Sequence, residues 1–191
     1  MSCKQQQKET TVSTSVNNLP KWAMGGFVRP EGVNPVIKPK DTKFYCPMTK
    51  DSIKWEESDT FNPASVVKDG KICVLYRAED NTNTGIGSRT SRIGLAETVD
   101  GITMSYRNSP VFFPDVDNNK IYEWYGGCED PRVTITEDGL YVMMYTGWNR
   151  GSESASVAPR LCVATSKDLL TWKKHGPAFE KAYDGRFIDL A

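Results

Sequence analysis

Two stretches of this chain run in parallel: 61-FNPASVVKDGKICVLYRAED-80 and 130-DPRVTITEDGLYVMMYTGWN-149. Each opens on a proline beside a polar residue, enters an apolar run, turns at Asp-Gly and runs on into a second apolar segment. The likeness continues outward: 91-SRIGLAETVDG-101 and 108-NSPVFF-113 follow the first copy, 159-PRLCVATSKDL-169 and 175-HGPAFE-180 the second. Lys68-Asp69-Gly70 matches Glu137-Asp138-Gly139 at an offset of 69, Arg92 matches Arg160 at 68, and Pro110 matches Pro177 at 67. Four segments in the same order and at nearly the same spacing mark an internal repeat.

Each copy predicts four strands: 62–67, 71–77, 91–97 and 102–112 in the first, 132–136, 140–146, 160–166 and 170–179 in the second. Short β-rich runs bounded by turn residues, with Asp-Gly as a hairpin signal, are what strands require. Four antiparallel strands per repeat describe a blade of a β-propeller, an all-β fold that closes with four to eight blades. The alternative is a β-sandwich with an accidental likeness between its halves. Only two blades are complete, and 183-YDGRFIDLA-191 stops where a third would begin. The stretch 34-NPVIKP-39 resembles 109-SPVFFP-114, the outer strand of the first blade, so the N-terminal segment is expected to close a blade by supplying its last strand.

The chain has 191 residues, with 24 Lys and Arg balancing 24 Asp and Glu. That balance carries no polyanion footprint, and nucleic-acid binding is disfavoured. No apolar run approaches the roughly 20 residues that a membrane-spanning helix needs. Five widely spaced cysteines form no paired metal motif, and Cys73 and Cys162 sit inside apolar runs, where a thiol acts as a small hydrophobe. One histidine, His175, excludes a histidine-rich metal site, and no metal or organic cofactor is expected. Residues 1–20 read as a disordered leader and 21–191 as the propeller part. Cys3 after Ser2, ahead of a polar tether, resembles the start of a mature lipoprotein, which implies the bacterial periplasm or a lipid anchor at Cys3; without that, the cytoplasm.

In an antiparallel blade the first strand starts, the second ends and the third starts at one end of the sheet. Asn62, Arg77, Glu79, Asp80 and Arg92 fall there in the first repeat; Glu129, Asp130, Arg132, Trp148, Asn149, Arg150 and Arg160 fall there in the second. Carboxylates, guanidinium groups and an indole at one mouth suit a small polar ligand, because planar Arg donors fix hydroxyls, carboxylates or phosphate. Plainer readings stand beside this one. Arg92 and Arg160 also fit blade-to-blade salt bridges, Trp148 fits core packing, Arg77 and Asp80 fit a mutual pair, and Asp130 fits a turn before Pro131.

The motifs FNPA, LYRAED, SRIGLA, GGCEDPRV and LCVATSKDLLTWKKHGPAF, in this order, resemble glycoside hydrolase family 130, from about Trp22 to the C-terminus and over little more than half of a usual member. The resemblance implies a five-bladed β-propeller, of which this chain holds about two complete blades and the closing segment. It implies an enzyme that cleaves β-mannosides with inversion, by phosphorolysis to α-mannose 1-phosphate or by hydrolysis. It makes Asp130 the general acid, its proton relayed through the O3 hydroxyl of the bound mannose. It places Asn62, Arg77, Glu79, Asp80 and Arg132 around the sugar, and Arg160 where an arginine contacts phosphate. The implied partners are a β-mannoside oligosaccharide and, in a phosphorylase, inorganic phosphate as co-substrate; self-association stays open. A phosphorylase needs cations for its phosphate, whereas a hydrolase needs a further carboxylate to activate water. The competing readings are a non-catalytic glycan-binding propeller and an inactive fragment of the enzyme.

Overall fold

Asp69 and Gly70 both hold positive φ (50° and 74°), the two-residue turn whose twist matches that of the strands it joins. The second Asp-Gly turns differently. Gly139 N donates to Thr136 O, and Thr136 N to Leu140 O, so five residues make the connection and only Gly139 enters the left-handed region. Around these two turns a computed structural model describes Pro20, residues 22–24, 29–83, Gly85, 88–150 and 158–179. Cys3, the leader up to residue 19 and the segment 183–191 lie outside the described residues.

The chain divides into two compact regions, Met1–Gly32 and Val33–Ala191. In the first, Ala23 N donates to Pro20 O across a turn. Among its described residues the second is all-β apart from one helical turn. Its elements in order are β1 (Lys40–Cys46), β2 (Asp51–Glu56), β3 (Asp59–Lys68), β4 (Lys71–Glu79), β5 (Ser91–Thr98), β6 (Ser105–Tyr106), α1 (Lys120–Glu123), β7 (Gly127–Ile135), β8 (Tyr141–Asn149), β9 (Ala158–Ser166) and β10 (Trp172–Pro177). No helix among the described residues is long and apolar enough to cross a membrane.

The two four-stranded repeats are present as β3–β6 and β7–β10, each an antiparallel meander. Three expectations need correction. Residues 34–39 form no strand; the N-terminal part of this region contributes the β1–β2 hairpin instead. The outer strand expected over 102–112 shrinks to β6 and a lone bridge between Ile93 and Phe112. Pro110 has no N–H for a ladder, and Trp55 Nε1 takes the Asn108 carbonyl at 3.0 Å, so the ladder breaks between Arg107 and Val111, whose N–H groups still bond Leu95 O and Ile93 O. The inner strands also start earlier than expected, at Asp59 and Gly127.

β4 and β5 of the first repeat are covered on both faces, so their alternation sorts side chains between two cores. Cys73, Leu75, Ile93 and Leu95 face the second repeat and meet Met143 and Cys162. Tyr76, Ala78 and Ala96 face the hairpin and meet Phe44, Cys46 and Trp55. All four described cysteines are buried and free, as small hydrophobes are.

Two polar devices occur in both repeats. Asp100 Oδ1 accepts from the N–H groups of Ile102 and Thr103 at 2.8 and 2.7 Å, and Asp168 Oδ1 accepts from Leu170 and Thr171 at the same distances, closing equivalent turns. In the second strand of each repeat a buried tyrosine donates to a buried glutamate that a lysine also holds. Tyr76 and Lys40 hold Glu56 (2.8 and 3.1 Å), and Tyr145 and Lys174 hold Glu123 (2.8 and 2.5 Å). Each glutamate lies just ahead of an inner strand, so the pair ties the entry of that strand to its neighbour.

The repeats join where Ser91 N donates to Gly126 O at 2.8 Å and Ser91 of β5 pairs in parallel with Gly127 of β7. Gly127 has φ 114°, and a β-carbon there would overlap the backbone of Ser91. Gly127→Ala is therefore expected to destabilise the protein by about 3 kcal/mol, combining overpacking with a disfavoured φ. A urea or thermal melt of the full-length protein measures it.

Candidate active site

Both inner strands break step at the same place. The β3–β4 register shifts between Phe61 and Ala64, and the β7–β8 register between Glu129 and Arg132. At each bulge a polar residue precedes a proline and takes a left-handed backbone: Asn62 with φ 43° and Asp130 with φ 48°. The proline fits because the ladder is already interrupted and needs no donor there. Asn and Asp fit because they tolerate that region better than other side chains. The two bulges meet: Asn62 Nδ2 donates to Asp130 Oδ1 at 2.9 Å.

Arg77, next to the end of β4, completes the cluster. Its Nη1 donates to the same Asp130 Oδ1 at 3.0 Å. Its Nη2 donates to Glu79 Oε1 at 2.7 Å and to Glu129 Oε1 at 2.8 Å, and its Nε to Ser91 Oγ at 3.0 Å. The guanidinium lies over the ring of Phe61, 4.5 Å from its centre. One cation thus gathers three carboxylates from two repeats. Arg77, Glu79 and Ser91 are buried, while the Asp130 side chain stays 34 % exposed. Both bonds to Asp130 end on Oδ1, and neither uses Oδ2.

The carboxyl of Glu129 is pushed up to about 7, chiefly by burial and further by the charges of Asp130 and Glu79, with Arg77 and Ser91 pulling it back. A group with this raised value adds most to stability when pH lies below the ordinary glutamate range. That contribution is lost as pH rises through about 7.

Asp80 goes elsewhere. It follows Glu79 directly, so the strand period turns it to the hairpin side, where Arg92 Nη1 donates to it at 2.7 Å and the Thr82 and Thr90 N–H groups add to that hold. Arg92 also reaches Cys46 Sγ and lies by the Phe44 ring, within its own repeat and the hairpin rather than across to the second repeat. Arg77 and Asp80 do not pair with each other. Arg132 is exposed, with its Nη1 on the Pro131 carbonyl at 2.7 Å, and Arg160 Nη1 likewise sits on the Pro159 carbonyl at 3.1 Å. Across the ladder Arg160 stands opposite Gly147, which pairs with Cys128, so it shares a level with the entry of β7. Trp148 is packed on Gly126, and Asn149 is buried with its amide on the Ile121 carbonyl. Arg150 donates to the Tyr125 carbonyl at 3.0 Å. Among the described residues no cluster of His, Cys, Asp and Glu is arranged to hold a metal. Ser91 is the one member of the cluster that the motifs did not single out. Its sign is positional: it faces Glu79 across the β4–β5 ladder.

Comparison with known proteins gives one consistent answer. A family model for glycoside hydrolase family 130, described as β-1,4-mannooligosaccharide phosphorylase, matches residues 33–186. A 1,2-β-oligomannan phosphorylase of Thermoanaerobacter is 33% identical over 135 residues, 70% of this chain and 43% of that protein. A crystal structure of a glycosyl hydrolase from Bacteroides ovatus is 60% identical with a TM-score of 0.81, covering 91% of this chain and 47% of that one. A structure from work on family 130 glycoside hydrolases that target β-1,2 mannosidic linkages in Candida mannan is also 60% identical, TM-score 0.81, covering 90% and 46%. The chain spans about half the length of the relatives it matches.

Proposed function

This chain belongs to glycoside hydrolase family 130, and from that membership we propose that the whole protein is an inverting β-mannoside-cleaving enzyme built on a five-bladed propeller. The two repeats described above are two of those blades. The observation that carries the reading is the anchoring of Asp130, with Oδ1 held by Asn62 and Arg77 and the side chain still 34 % exposed. The two donors fix the carboxyl in place at the rim, which is the positioning a general acid requires, and the second oxygen is the one to carry the proton. Asp130 is the acid. Asn62 and Arg77 orient it, and Arg132, exposed just past the bulge, meets the sugar. Glu79 supports Arg77 from within, and Asp80 supports the wall of the site through Arg92.

Hydrolysis of β-1,2-linked mannosides is the reading favoured here, because the structures at 60% identity carry a glycosyl hydrolase name or come from work on β-1,2 mannosidic linkages. An inverting hydrolase places an activated water opposite the acid. Phosphorolysis is the second reading, supported by the phosphorylase names at 33% identity, and gives Arg160 a phosphate to contact. Neither route calls for a metal or an organic cofactor. A non-catalytic glycan binder would use such a carboxyl only to accept from sugar hydroxyls, and D130N separates the two: a binder keeps its affinity, an enzyme loses turnover.

Incubating the full-length protein with β-1,2- and β-1,4-mannobiose, with and without inorganic phosphate, separates these outcomes. Free mannose from the β-1,2 dimer in the absence of phosphate is expected. Mannose 1-phosphate formed only when phosphate is present would move the assignment to phosphorolysis. No product under any condition would overturn the enzymatic reading.

A further inference from the structure

We propose that Glu129 and Glu79 share one proton through the hydroxyl of Ser91, and that this pair positions Arg77 and, through it, the carboxyl of Asp130. The inference rests on Asp130 being the acid. Both glutamates present Oε1 to the same Arg77 Nη2, at 2.7 and 2.8 Å, and both Oε1 atoms lie within reach of Ser91 Oγ, at 3.2 Å for Glu79 and 3.0 Å for Glu129. Glu79 is fully buried and Glu129 is 8 % exposed.

The hydroxyl of Ser91 has one hydrogen and already accepts from Arg77 Nε. With both glutamates ionised it serves only one of them, and two buried anions face each other across a single oxygen. With a proton on Glu129 the contacts around Ser91 are all used: Glu129 donates to Ser91, Ser91 donates to Glu79, and Arg77 donates to both, while the outer oxygen of Glu79, Oε2, stays buried without a hydrogen bond among the described residues. The surrounding charges agree. Among the described residues Arg77 from β4 is the one cation hydrogen-bonded to the pair, and Asp130 from β7 adds a third carboxylate to it. Arg89, from the loop after β4, stands 3.7 Å from Glu79 Oε2 and is bound by Asp59 of β3. Arg150, beyond β8, feels both glutamates and Asp80 but bonds the Tyr125 carbonyl, and Arg92 is turned to Asp80 on the opposite face. The two buried glutamates on one guanidinium leave one excess negative charge, which one proton removes, while the charge of Asp130 sits at the rim with its side chain 34 % exposed. The raised proton affinity of Glu129 is its thermodynamic counterpart.

Loss of that proton pulls the guanidinium toward the glutamates and away from Asp130. The test is the dependence of kcat and KM on pH for the full-length protein and its E129Q and E129A variants on β-1,2-mannobiose, between about pH 5.5 and 8.5. A glutamine amide donates to Ser91 and accepts from Arg77, so it imitates the protonated state without titrating. Wild-type kcat is expected to fall about tenfold on the alkaline side in a step centred near 7, E129Q to lose that step, and E129A to lose about tenfold or more throughout. An E129Q variant that keeps the wild-type fall would overturn the proposal. Infrared difference spectra across the same titration give a readout independent of turnover. A protonated-carboxyl band that titrates near 7 in the wild type and is absent from E129Q supports the shared proton even if no mannoside is cleaved, in which case only the sugar chemistry falls. Turnover without such a band sinks the proton and leaves the chemistry standing.

Discussion

Asp130→Asn is expected to lower kcat on β-1,2-mannobiose by about 10³-fold, within the 10²–10⁴ that a positioned general acid contributes. The loss should be chemical. Asparagine tolerates the left-handed backbone at φ 48°, and its carbonyl oxygen keeps the bonds from Asn62 and Arg77. Only the transferable proton goes, so the affinity for the disaccharide measured by calorimetry should move a few-fold at most. An aryl β-mannoside, whose leaving group needs little protonation, should suffer much less than the disaccharide. Turnover of mannobiose at wild-type rates by D130N would exclude Asp130 as the acid.

Arg77→Ala should be the most damaging single change to the folded state. The guanidinium is 4 % exposed and is bonded to Glu79, Glu129, Asp130 and Ser91. Removing it strands two buried carboxylates, and breaking a buried pair from one side costs about 3–5 kcal/mol. Part of that cost is recovered by protonating them, so the variant should be least impaired in acid and lose stability steeply as pH rises. Arg77→Lys should not rescue it, since an ammonium is a point charge and cannot span the separate directions served by Nε, Nη1 and Nη2. Denaturant melts at several pH values measure both variants. An R77A protein as stable as the wild type at neutral pH would show that the carboxylates are compensated elsewhere.

Much of this arrangement is legible in the sequence because it is repeated. The repeat identifies the two meanders, and antiparallel topology then gathers Asn62, Arg77, Glu79, Glu129 and Asp130 at one end of the sheet. Strand alternation carries the reading a step further. Arg77 and Glu79, two apart, share a face, whereas Asp80 and Arg92 take the other, so their grouping with the site by position in the chain blurs a distinction that the period of two makes. The β1–β2 hairpin was hidden for a local reason. Its turn, Pro47-Met48-Thr49-Lys50, lacks the Asn-Gly or Asp-Gly signature and puts a lysine, Lys50, at φ 54°. The buried glutamates were hidden for a distant one. Glu56 and Glu123 find Tyr76 and Tyr145 some 20 residues away, in other elements, and nothing local marks them as paired.

The matched bulges have a consequence for how the work of the site is shared. Asn62 and Asp130 occupy the same station in the two repeats, with the same backbone, the same following proline and a bond between their side chains. They differ by an amide nitrogen against a carboxyl oxygen. On the proposed reading that one atom separates the holder of the acid from the acid, and the two repeats divide the roles at a single shared backbone geometry.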